Sequence, residues 1–529
     1  MAPGGCRARD RPQLGPMKRW TKLAMAAGGL GAGALALPRL RARSLPLPLV
    51  HPGVAVPYAG LTETLPIELD QPARVDGTLP AGLLGTLYIN GPGRFDRGGK
   101  RKRNLLDGDG LITAFTLRDG AVRARARFVQ TDKYREEDAL DRFLYATWTT
   151  QRPGGLFANL GNRTHPRGQA GVTVKRWDDR LFAFDEGAQP WELDPESLDT
   201  REYATLGLRE GEARHAAHAK VDPIAREWIH FGLEYGRRTQ LHLTTFGEGM
   251  ELRAHRVEPL DGAPYMHDFA VTAGHIVLVR HPADAAPLPF IAGLTSFKDS
   301  MRWRPERGNQ LLVFERGRNA APLRLETEAA WMWHTLNAHD RGSETVIDFV
   351  GYDHPDHFLG AHAALTSVMT GGAVGFQHPG KIRRYVIDRE RKTVRQEILD
   401  GGHHDFPTID PRWSTRRHRF GYFAAGRGSD WLMSTIVRKD METGQTESHD
   451  FGDTQYCLEP IFAARPGPRA TEATESEPGW LLVLVYDGKR NASRLAVLDA
   501  EHLADGPVAE AHLDQPLPFR FHGTWWPTT

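Results

Sequence analysis

The chain has 529 residues, with 67 basic against 66 acidic side chains and a formal net charge of +1, so no long-range field draws it to nucleic acid. Its two cysteines, Cys6 and Cys457, exclude both a disulfide framework and a thiolate metal site. The length exceeds one ordinary core, yet closed all-β architectures hold several hundred residues as one unit, so two domains are not required.

Residues 1–50 read apart from the rest as a leader. Lys18 and Arg19 precede the apolar run LAMAAGGLGAGALAL (23–37), which ends on the small residues Ala34-Leu35-Ala36, the order of parts in a secretory signal. Fifteen residues fall short of the roughly 20 that a membrane-spanning helix needs. The segment therefore resembles an export signal; the bland alternative is an Ala/Gly-rich leader with no address, on a protein that stays in the cytoplasm and meets membranes from there. Residues 51–529 are expected to form a single domain.

From about Leu61 onward, short apolar or alternating runs recur: GTLYING (85–91), RLFAFDE (180–186), GHIVLVRH (274–281), NQLLVFER (309–316), WLLVLVYD (480–487) and RLAVLDA (494–500). Gly, Pro, Asp and Asn separate them, as turns separate strands. No helical periodicity of comparable strength appears, so the expected class is all-β: a sandwich, barrel or propeller. Segments 283–308 and 354–380 are too long for tight turns and are expected to cover one face of the β core.

Four histidines sit in distinctive phrases: His218 in HAAHAKVDP, His267 in YMHDFAVT, His334 in WMWHTLNAHD and His522 in FRFHGTWWP. They lie 49, 67 and 188 residues apart, far from the close spacing of a helical zinc motif, so each comes from a different part of the fold. A propeller brings such residues to one axis naturally. Four neutral imidazoles add no negative charge, so a bound ion keeps its full +2, which favours a catalytic metal over a structural one. His215, His275, His281, His339, His403 and His404 fall near these phrases but off the ligand positions, and Phe519, Phe521, Trp525 and Trp526 read as core packing.

Nine segments carry a resemblance: INGPGRF (89–95), LLDGDGLITAF (105–115), RFVQTDKY (127–134), AHAKVDP (217–223), MHDFAVT (266–272), WHTLNAHD (333–340), DFPTIDPR (405–412), LEPIF (458–462) and FHGTW (521–525). In content and order they resemble the carotenoid cleavage oxygenase family, although DGDG taken alone could be a tight turn. The resemblance implies a seven-bladed β-propeller with a helical and loop dome over one face, and a non-haem Fe2+ on the axis held by His218, His267, His334 and His522. It implies carboxylates behind the ligands at Glu186, Asp405 and Glu459, serving His267, His334 and His522 and leaving His218 without one; each would fix an imidazole tautomer. Asp405 departs from the family's commoner glutamate and is one methylene shorter.

The activity so implied is cleavage of a C=C bond of a carotenoid or apocarotenoid with O2, giving two carbonyl products, with no catalytic side chain beyond the metal site and no organic cofactor. Positioning of an extended apolar polyene in a tunnel would set which bond breaks. The alternative within the family is a stilbenoid or lignostilbene-type phenolic alkene. Stilbenoid cleavers carry a lysine just before the first glutamate, where this chain has Asp185, which disfavours a 4-hydroxystilbene. A lipid- or retinoid-binding propeller is the non-enzyme alternative. PLPFIAGLTSF (287–297) is expected either to dip into a bilayer surface near the tunnel mouth or to pack inside the dome.

Overall fold

Strand formation follows the period-two patterning. Ala121–Phe128, AVRARARF, alternates exposed and buried residues along its length, whereas Gly479–Asp487, GWLLVLVYD, is buried up to its last residue and lies between two neighbours. The computed structural model describes residues 42–49, 56–161, 167–209, 215–360, 363–428, 430–467 and 477–528. The apolar run 23–37 and Ala34-Leu35-Ala36 lie outside the described residues. No described helix is long and apolar enough to cross a membrane.

Five four-stranded antiparallel sheets and one nine-stranded sheet build seven blades. Blades 1 to 5 follow chain order, with innermost strands Thr173–Trp177, Ala219–Asp222, Phe269–Val271, Trp331–Arg341 and His404–Thr408. The nine-stranded sheet supplies the last two. Blade 6 runs outward from Gln455–Ala464 to Pro507–His512, and Leu69–Gly77 joins its outer edge to that of blade 7. Blade 7 pairs the C-terminal strand His522–Pro527 with Gly85–Arg94 in antiparallel register, Asn90 opposite His522. Closure of the ring thus joins the two ends of the propeller and leaves no open blade edge between them.

Three innermost strands carry β-bulges: between Met332 and Thr335, between Asp405 and Thr408, and between Cys457 and Pro460. A bulge re-aims the side chain it carries, and these carry His334, Asp405 and Glu459. Phe406, beside Asp405, has φ of 49°, a left-handed conformation that a bulky side chain adopts only where its surroundings enforce it.

The expected cover is present but more ordered than loops. Residues 283–303 form a two-stranded hairpin, Ala283–Ala285 with Met301–Trp303, enclosing the short helices Pro287–Ile291 and Phe297–Ser300. The described part of segment 354–380 contains the short helix Ala364–Ser367, continued by the 3-10 turn Val368–Thr370. A further part, 129–172, includes the helix Asp132–Ala139, capped by the Thr131 hydroxyl oxygen, which accepts the Tyr134 N–H.

Candidate metal centre

His218 immediately precedes the innermost strand of blade 2, His267 lies two residues before that of blade 3, His334 lies on the blade 4 bulge, and His522 begins the closing strand. All four are buried, and one ligand-capable atom from each falls within 4.8 Å of the others. Nε2 of His218 is 3.0 Å from Nε2 of His267, and Nε2 of His334 is 3.2 Å from Nε2 of His522.

The opposite ring nitrogens meet carboxylates. His334 Nδ1 lies 2.7 Å from Asp405 Oδ1, His522 Nδ1 is 2.9 Å from Glu459 Oε1, and His267 Nδ1 is 2.5 Å from Glu186 Oε1. At His334 and His522 the carboxylate accepts the Nδ1–H and leaves Nε2 as a bare lone pair, while Glu186 lies within ion-pair range of His267 Nδ1. Between His334 and His522 two lone pairs then face one another 3.2 Å apart in a buried space, an arrangement that repels itself unless a cation sits between them. Protonation does not supply that cation: burial, then the neighbouring imidazoles, hold His218 and His522 well below the usual histidine range. Bonds of about 2.0–2.1 Å at angles of 90–109° would separate the nitrogens by about 2.9–3.4 Å, so the residues present fit a metal ion.

Two of the three carboxylates are themselves held by further donors. Asp405 also accepts the Tyr352 hydroxyl at 2.5 Å and the Phe406 N–H at 2.8 Å. Burial works against its charge, but His334 and these donors hold it below the ordinary carboxylate range. The shorter aspartate therefore reaches His334 directly, from the first position of the bulge. Glu459 accepts the Gly523 N–H at 2.8 Å; burial pushes it up to about 7, opposed chiefly by Lys175. Gly523 is required here, because a Cβ would stand 2.7 Å from the Tyr88 carbonyl oxygen across the closing pair.

Two spaces meet at the histidines. On the domed side, an apolar pocket reaches His267, His334 and His522, and its walls include Trp148, Phe297, Trp333, Phe358 and Trp431. On the other side a polar channel reaches His218 and His334 and is lined by Lys175, Lys220 and Asp268. Asp185 lines the pocket, but its carboxylate accepts the backbone N–H groups of Gln169 and Glu186. Lys298 is the one lysine or arginine among the described residues that line it, with Nζ 3.3 Å from Asp299 Oδ1.

Sequence reasoning missed Trp148, Trp333, Phe358, Trp431 and Lys298 as pocket walls. It also read Phe521 only as core, whereas it is buried and lines the pocket too; Trp525 and Trp526 line the polar channel. The DGDG phrase is more than a tight turn: Asp107 closes the 3-10 turn Leu105–Asp107, Asp109 begins the strand Asp109–Arg118, and Asp107 accepts the Thr149 N–H and the Thr150 hydroxyl, fixing the segment that presents Trp148. The bystander histidines lie elsewhere. His281 Nε2 accepts the Met332 N–H, His403 Nδ1 accepts the Gly380 N–H, and His275 pairs with Asp340; His215, His339 and His404 are also outside the four-histidine group.

The model of the retinal pigment epithelial membrane protein family matches residues 62–527. The apocarotenoid-15,15'-oxygenase of a Synechocystis species is 28% identical, with 85% of this chain and 92% of that protein covered. A lignostilbene-alpha,beta-dioxygenase isozyme III of Sphingomonas paucimobilis is 26% identical, covering 85% and 92%. Among solved structures, a cobalt-substituted Synechocystis apocarotenoid oxygenase superposes with a TM-score of 0.83 at 27% identity, covering 89% of this chain and 98% of that one.

Proposed function

The chain belongs to the retinal pigment epithelial membrane protein family, and we propose that it is an Fe2+-dependent dioxygenase that cleaves a C=C bond of a carotenoid or apocarotenoid. The observation that carries this reading is the four-histidine cluster opening onto an aromatic pocket. His218, His267, His334 and His522 would hold the iron, and Glu186, Asp405 and Glu459 would keep three of the imidazoles in the tautomer that binds it. Bound there, Fe2+ supplies O2 activation beside the alkene, both oxygen atoms ending in the two carbonyl products. The protein's own part is positioning. Trp333 packs edge-on to His267 and Phe406 stacks on His334, so the imidazoles are held rigidly while the aromatic walls exclude water and align a flat, conjugated chain.

The test is single-turnover product analysis of anaerobic, Fe2+-loaded protein given O2 with β-apocarotenals, a C40 carotene and resveratrol. Two carbonyl fragments from a carotenoid substrate are expected; an iron-replete protein that leaves every carotenoid intact would overturn the reading. A second reading, a phenolic alkene substrate, is favoured by Lys298, whose position in the pocket suits an anionic ring oxygen. On that reading resveratrol is cleaved and Lys298→Met lowers its turnover without affecting a carotene.

Asp405→Asn removes the charge that accepts the His334 proton. Iron affinity or turnover is expected to fall about 10- to 100-fold, read from metal content and kcat in parallel. Wild-type values in both would show that Asp405 does not support the site.

The same reading includes peripheral membrane contact, which suits a substrate that dissolves in lipid. Phe157 and Leu288 are 88% and 80% exposed, and Leu160 and Ile291 are also largely exposed. The Gly161 N–H donates to the Ile291 carbonyl, so the two short segments lie side by side. Within segment 287–297, Leu288 and Ile291 are exposed, whereas Phe297 packs edge-on to Trp148 in the pocket wall. Replacing Phe157 and Leu288 together by serine is expected to weaken co-sedimentation with neutral phosphatidylcholine vesicles by at least about tenfold, given the transfer energy of two large apolar side chains. Unchanged binding would locate the contact elsewhere.

A further inference from the structure

His354, Asp356 and His378 form a second group of metal-capable side chains, separate from the four histidines, with one ligand-capable atom from each within 4.8 Å of the others. His378 Nδ1 is 3.3 Å from Asp356 Oδ2. That matches the edge of a tetrahedron with metal–ligand bonds of about 2.0–2.1 Å, which is about 3.3–3.5 Å. His354 Nδ1, His378 Nδ1 and Asp356 Oδ1 are shielded from solvent, yet none has a hydrogen-bond partner among the described residues. Three such atoms on residues whose ligand-capable atoms lie within 4.8 Å of one another are accounted for together by a bound cation, which accepts an electron pair from each imidazole in its metal-binding tautomer.

The cluster joins the two ends of one excursion. His354 and Asp356 follow the strand Glu344–Tyr352, and His378 precedes the strand Lys381–Asp388, its hydrogen-bonded neighbour in blade 4. Asp356 Oδ2 also accepts the Gln377 N–H at 2.7 Å, and Asp353 bridges to Lys381 at 2.6 Å, so the neck is already drawn together. Between these ends the excursion carries His357, whose Nε2 accepts the Trp333 indole N–H at 2.5 Å, and the pocket residues Phe358 and Leu365. A cross-link at the neck removes loop freedom from the segment that forms this pocket wall.

We infer that His354, Asp356 and His378 bind a second divalent cation of the Zn2+ type, which clips the neck of the 354–380 cover. Two imidazoles and one carboxylate form a donor set that Zn2+ takes readily, with water completing the fourth position. The His378 side chain is 38% exposed, so the ion enters from solvent without opening the pocket.

The experiment uses the Fe2+-loaded protein, dialysed anaerobically against micromolar free Zn2+ and analysed for both elements. One zinc per chain is expected in the wild type and none in a His354→Ala, His378→Ala double variant, with iron content equal in the two. Co2+ in place of Zn2+ should give a visible ligand-field band that the double variant lacks. His378→Asn, a change at a partly exposed side chain, should show the same loss if the double variant folds poorly. Zinc bound equally by wild type and His378→Asn, or no zinc bound by the wild type at that concentration, overturns the inference.

Discussion

Replacing His334 by alanine is expected to abolish tight metal binding and to lower single-turnover cleavage by more than about 100-fold, beyond the loss that removing a supporting carboxylate brings. Two effects combine. The site loses one of four imidazoles whose facing nitrogens lie about 3 Å apart, and Asp405, buried on its strand, loses the ring N–H that it accepts. Asp405 keeps the Tyr352 and Phe406 donors, but its buried charge is less well satisfied without the third. Iron per chain, measured beside the circular dichroism spectrum, separates a lost ligand from a lost fold. Added imidazole should enter the vacated space and recover part of the bound metal. A variant that keeps full iron and full turnover would show that the cation is held by some other set of atoms.

The four histidines were legible because each sits in a short phrase whose local structure places it, just before or just inside an innermost strand, and that order survives in the linear sequence. Bulges are not legible in the same way. The extra residue at Met332–Thr335 or Cys457–Pro460 leaves no compositional mark, yet it decides where His334 and Glu459 point. The aromatic residues show a second limit. Trp431 and Phe521 line the pocket while Phe519, stacked on Trp431, does not, and hydrophobicity is the same on both sides of such a wall. The cover read as loop because helices of four or five residues, such as Phe297–Ser300, are too short to show a 3.6-residue period. Lys298 escaped notice for a related reason: a lysine beside an aspartate reads as solvated surface, and only the folded cover buries it.

Lys133→Met is expected to destabilise the propeller by about 3–5 kcal/mol, because it strands buried charge. The ammonium of Lys133 donates to Asp109 at 2.5 Å and to Glu137 at 2.9 Å, while Arg97 donates to Asp109 at 2.8 Å; none of these four side chains is more than 2% exposed. Glu137 in turn accepts the N–H groups of Leu144 and Tyr145, so the network anchors the helix Asp132–Ala139 to the strand beginning at Asp109. Arg97 also pairs with the half-exposed Asp138, so Lys133 is the cation bonded to both buried carboxylates, and removing it leaves them under-compensated in a low-dielectric interior. A Lys133→Met, Glu137→Gln pair restores the balance and should recover a substantial part of the loss, a coupling that a merely badly packed methionine would not show. The pH dependence has a defined sign. Burial opposes ionisation of Asp109, but Lys133 and Arg97 outweigh it and lower the carboxyl from 3.8 to about 2. A depressed acid contributes its full stability above pH 3.8 and loses it as the pH falls towards about 2. Lys133 is raised above its ordinary value, so its contribution persists through neutral pH and is lost only in strong alkali. Urea midpoints measured from neutral pH downward should therefore fall more steeply in the wild type than in Lys133→Met near the acid end, because the variant lacks the charge that lowers Asp109. Parallel curves, or a variant within about 1 kcal/mol of wild type at neutral pH, would show that the network contributes packing rather than charge balance.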